Sequence, residues 1–87
     1  MSTAQEITTL CCVAQDTEAC TDILEWVETV RTRCNAPQSI RMSTNGSDPE
    51  DPVAVEILLP TQLWLGNCHE FMALVHKGLV YHWETKP

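Results

Sequence analysis

The sequence predicts a small α+β domain: one antiparallel sheet of four strands, with two helices packed on one of its faces. Three observations predict it. Two segments place apolar residues three and four apart, the period of a half-buried helix. Four others alternate apolar with polar residues or are dense in β-branched ones, as strands are. Turn and helix-stop residues separate them in the order strand, helix, strand, strand, helix, strand.

The first segment, residues 6–13, is rich in Thr, Ile, Val and Cys, which suits a pleated surface. A helix competes with it. Thr3-Ala4-Gln5-Glu6 fits a capping box, and Ile7, Leu10, Cys11 and Ala14 keep helical spacing. The similar lengths of the two halves of the chain favour the strand. The alternative is a helical N-terminal segment, giving a three-stranded sheet with three helices.

Asp16 and Thr17 are N-cap residues for a long helix reaching about Cys34. Cys20, Ile23, Val27, Val30 and Cys34 form its core-facing stripe, with Ala19 and Trp26 beside them. Glu18, Asp22, Glu25 and Glu28 gather on the opposite face within roughly 120° of arc. Pro37 cannot continue the helix.

Residues 39–44 alternate as a half-buried strand, and Asn45 to Pro52 is a polar, acidic loop carrying Asp48, Glu50 and Asp51. Residues 53–59, Val-Ala-Val-Glu-Ile-Leu-Leu, complete a hairpin that Pro60 stops. Thr61 to Gly66 reads as irregular. Asn67 with Glu70 looks like a fresh cap, so the second helix starts or kinks there, with Cys68, Phe71, Met72 and Val75 as its apolar face. Lys77 and Gly78 are C-terminal signals. Leu79 to Glu84 is the last strand, with Leu79, Tyr81 and Trp83 on one face and Val80, His82 and Glu84 on the other. This order is the split β-α-β pattern of the ferredoxin-like fold, in a single domain over residues 1–87.

Charge narrows the function. Twelve Asp and Glu against five Lys and Arg give −7, and Arg31, Arg33, Arg41, Lys77 and Lys86 are scattered. Direct nucleic-acid binding needs clustered cations and is not expected. No apolar run approaches the ~20 residues of a membrane span. Five cysteines, an odd count, and no signal-peptide pattern lead to an expectation of reduced thiols in a cytoplasmic protein, the host cytoplasm included. Asn45-Gly46-Ser47 is read as a turn rather than a glycosylation acceptor.

Chemical motifs are weak. Zinc needs closely spaced ligand pairs, and the chain has neither a C-x-x-C nor an H-x-x-x-H, so no metal and no cofactor is expected. Cys68 paired with His76 or His82 would need an electropositive setting that an acidic chain does not offer. No catalytic residues are assigned, and the protein is expected not to be an enzyme. A small metal-binding protein or Cys-based enzyme is the least favoured reading. Trp26 and Trp83 fit core positions. Trp64, beside Pro60 and Gly66, is the tryptophan nearest exposure and a candidate binding contact; the competing reading, slightly preferred, is a core plug under a loop.

The leading expectation is a non-catalytic acidic binding protein that docks on a basic, nucleic-acid-binding protein surface. Its candidate contacts are Glu18, Asp22, Glu25, Glu28, Asp48, Glu50, Asp51 and Trp64. Carboxylates on adjacent helical turns lie ~5–6 Å apart, a spacing like that of phosphates along one strand. In general character, though not in sequence, this is similar to nucleic-acid mimics such as viral anti-restriction and anti-CRISPR inhibitors. The alternative is a structural or regulatory module that self-assembles through the open sheet face, where Val80, Ser39, Arg41, Ser43 and Glu56 are expected. Either way the chain is expected to be a monomer or weak homodimer.

Overall fold

The computed structural model describes residues 6–33, 40–45 and 52–86. Their elements are β1 (Ile7–Ala14), α1 (Thr17–Arg33), β2 (Arg41–Asn45), β3 (Val53–Pro60), α2 (Thr61–His76) and β4 (Val80–Lys86). The strands form one sheet in the order β2-β3-β1-β4, antiparallel throughout. The two crossovers through α1 and α2 give the ferredoxin-like arrangement. The N-terminal segment is thus a strand from Ile7 to Ala14, and the helical alternative falls. Long-range pairing settles what the local pattern left open: β1 is bonded on both sides, to β3 and β4.

Period-two burial places the core. Leu10, Cys12 and Ala14 of β1 lie opposite Ile57, Val55 and Val53 of β3, and all six are buried. Against them α1 sets Ala19, Ile23, Trp26, Val27 and Val30, and α2 sets Trp64 and Phe71. Of the stripe expected on α1, Ile23, Val27 and Val30 are buried, Cys20 is half-buried at the margin, and Cys34 lies outside the described residues. Asp16 caps α1 as expected: the Ala19 N–H donates to its Oδ1 at 2.8 Å.

Two expectations need correction. The first is the start of α2. It begins at Thr61, directly after Pro60, and runs through Gly66 and Asn67 without a break. Asn67 is not a cap. Its Nδ2 donates to the Leu63 carbonyl at 2.8 Å, its Oδ1 accepts from Arg33 Nη1 at 2.9 Å, and the side chain is buried between the helices. A side chain satisfied inside the helix has no need to end it. An interior glycine costs ~1 kcal/mol in helix propensity, which the packing of Trp64 and Phe71 outweighs.

The second concerns β4. The register shifts between Val13 and Ala14: Val13 pairs with His82, and Ala14 pairs with Val80, so Tyr81 is the extra residue of a bulge. Val80 consequently turns to the core and is buried, not on the open face. Trp83 pairs with Cys12 and also faces the helices, but at the sheet edge, so it stays 36 % exposed. Its ring contacts Trp64 and Phe71, which in turn contact Trp26.

A junction between the helices completes the layer. The Trp26 Nε1–H donates to the Asn67 carbonyl at 3.2 Å, and Arg33 ion-pairs with Glu70. The Arg33 hydrogen bond holds the Glu70 carboxyl below its ordinary titration range.

Candidate functional site

The outer face of α1 is built by default. Once Ala19, Ile23, Trp26, Val27 and Val30 are committed to the core, the 3.6-residue period turns Glu18, Thr21, Glu25, Glu28, Thr29 and Thr32 to solvent. Asp22 sits at the edge toward α2 and is half-buried; Glu18, Glu25 and Glu28 are exposed. Hence the structure brings together the four acidic residues expected on this helix.

Its electrostatics are one-sided. Glu28 is paired with Arg31, three residues on. Arg33 is drawn off to Glu70 and Asn67. Among the described residues Glu18, Asp22 and Glu25 make no ion pair. The threonine hydroxyls between them are also spoken for. Those of Thr21, Thr29 and Thr32 donate to the carbonyls of Thr17, Glu25 and Glu28 at 3.1, 2.9 and 2.9 Å. The face offers free carboxylates and few free donors. Leu24 stands at its margin, four residues before Glu28 and 42 % exposed. Sequence reasoning passed over Leu24, although an apolar residue one position off the buried stripe is its signal.

The other candidates separate. Asp48, Glu50 and Asp51 lie outside the described residues. Trp64 is corrected as a binding contact: it is 8 % exposed within the aromatic cluster, the core plug of the slightly preferred reading, and cannot contact a partner without opening the core. It falls on a helix, not an irregular stretch, so the proximity of Pro60 and Gly66 misled.

Cysteine chemistry finds little support in the geometry. Burial pushes the Cys12 thiol up to about 12, helped by neighbouring Cys20 and Cys11, and burial raises Cys20 as well. Protonated, buried thiols are poor nucleophiles and poor ligands. Cys68 and His76 are eight residues apart on α2, ~12 Å along its axis. His82 pairs with Val13 on the far side of the sheet from α2. Cys11, Cys12, Cys20 and Cys68 are unbridged, and Cys34 lies outside the described residues. Among the described residues no three His, Cys, Asp or Glu are grouped to hold a metal ion. No helix among them is long and apolar enough to cross a membrane.

The second surface is the sheet face turned away from the helices. Register orders it in rows across the strands. Arg41, Leu58, Thr9 and Lys86 form one row, and Ser43, Glu56, Cys11 and Glu84 the next. Asn45, Ala54, Val13 and His82 form a third. A shallow depression of about 410 Å³ lies over the second and third rows. Arg41, Ser43 and Glu56 are here as expected; Ser39 lies outside the described residues.

Compared with known family models, curated proteins and solved structures, the chain matches none, so its relation to the ferredoxin-like fold rests on the strand order itself.

Proposed function

We propose that this protein is a non-catalytic binding protein whose α1 outer face docks on a basic surface of another protein, one that otherwise holds nucleic acid. The observation that carries the reading is the set of unpaired carboxylates of Glu18, Asp22 and Glu25 on a face whose nearest cation, Arg31, is already engaged. Like charges three and four residues apart destabilise a helix by a few tenths of a kcal/mol per pair. A cationic partner turns that repulsion into attraction and speeds encounter at low salt. Carboxylates on successive turns, ~5–6 Å apart, meet lysines and arginines arranged for phosphates. A viral inhibitor of a nucleic-acid-handling defence enzyme is one biological role that this chemistry suits. Leu24 gives the face an apolar contact beside the charges.

Affinity capture tests the reading. The parent and an Asp22→Lys/Glu25→Lys variant are used as paired baits on lysate, with captured proteins identified by mass spectrometry at low and high salt. The parent should retain basic nucleic-acid-binding proteins that salt releases and the variant does not hold. Identical captures by the two baits contradict the proposal.

A further inference from the structure

We infer that the open sheet face is a self-association surface whose occupant is a second copy of this chain. The inference uses the face opposite α1 and does not depend on the docking reading. It starts from a contrast in charge. The whole chain carries −7, yet the charged side chains that the strands place on this face, Arg41, Lys86, Glu56 and Glu84, sum to zero. They are also sorted: both cations lie in one row and both carboxylates in the row beside it. Adjacent same-face rows are two residues apart, ~6.6 Å.

A face sorted in this way complements itself. A two-fold axis in the interface, perpendicular to the strands and midway between these rows, lays each copy's basic row on its partner's acidic row. Lys86, which stands 4.0 Å from Glu84 of its own chain, then also meets Glu84 of the second copy, so the two cations and two carboxylates form a four-charge cluster. Arg41 comes over Ser43, one strand from Glu56 and within reach of a long side chain. Symmetry repeats both pairs, as an isologous interface requires. Between the charges the two central strands offer half-buried Leu58, Thr9, Cys11 and Val13. Self-repulsion between two acidic copies is smaller here than on the α1 face, because the carboxylates of α1 lie on the far side of the sheet.

The size sets the strength. Four strands ~4.8 Å apart and about six residues long give a face of roughly 19 by 20 Å. Two copies therefore bury only about 800 Å² in all, below the ~1,200 Å² at which standard interfaces begin, so the dimer is weak and transient, with a dissociation constant between about 1 μM and 1 mM.

Sedimentation equilibrium of the parent, Arg41→Glu, Glu56→Arg, and an equimolar mixture of these two variants tests the inference. Both substitutions are at exposed positions, and near-UV circular dichroism of the tryptophan cluster checks the fold. The parent should dimerise with concentration, each variant alone should associate at least tenfold more weakly, and the mixture should recover association as a heterodimer. A parent that stays monomeric to ~1 mM overturns the inference. So does a dimer that both variants leave intact, or a mixture that fails to restore it.

Discussion

Cys12 is 3 % exposed on the core face of β1, and its thiol is pushed from an ordinary 9.0 up to about 12 by burial. That shift is a statement about stability. Between pH 9 and 12 the folded thiol keeps its proton while the unfolded one loses it. The unfolded state then binds fewer protons, so stability falls as pH rises through this window and is intact below it. Cys20 shifts in the same direction and adds to the loss. Chemical denaturation at pH 8 and pH 10.5 should show a smaller alkaline loss for Cys12→Ala than for the parent; equal losses would mean that Cys12 is not the group responsible. At this scale the sequence spoke clearly about α1, where the spacing of Ile23, Val27 and Val30 identified core residues without help. It misplaced Val80, and it kept Trp64 as a binding candidate although its slightly preferred reading, a core plug, is what the structure shows. Trp64 is buried by contacts with Trp26 and Trp83, residues far from it in sequence, and Val80 by a bulge that no local pattern announces.

One glycine inside the second helix and one just past its end have opposite roles. Gly78 follows α2 with φ of 79°, and closes a Schellman motif: its N–H donates to the Val75 carbonyl, and the Leu79 N–H to that of Leu74. Gly66 is an interior, exposed position with open space where a Cβ would project. Gly78→Ala should lower stability by about 1 kcal/mol, because a side chain is strained in the left-handed region. Gly66→Ala should raise it by roughly 0.5–1 kcal/mol through helix propensity. Thermal melts of the two variants should move to opposite sides of the parent; a loss of stability in Gly66→Ala would show that α2 needs flexibility at that turn. The C-terminus of α2 was legible because Lys77-Gly78 is a backbone signal. Its N-terminus was not, because Asn67 carries the chemistry of a cap but spends it on Leu63 and Arg33. An asparagine's partners across a helix pair are tertiary facts.

At the scale of the molecule, the ferredoxin-like topology separates two surfaces of different electrostatic character. The helical layer exposes the unpaired carboxylates of α1. The open sheet face carries balanced, row-sorted charge. The acidic stripe follows from period alone, whereas the order of elements needed, besides period, the similar lengths of the two halves to make residues 6–13 a strand. The rows of the sheet face were not legible, because they depend on which residues of four separate strands stand opposite one another. The central claim concerns α1, and the salt dependence of its binding tests that claim most directly. The measurement is the affinity of the parent and of Asp22→Lys/Glu25→Lys for the captured basic partner, titrated from low to high salt. Parent binding should weaken steeply with salt, and the double reversal should bind at least tenfold more weakly at low salt, a loss of ~1.4 kcal/mol or more from interfacial charge pairs. Equal affinities with no salt dependence would contradict the account.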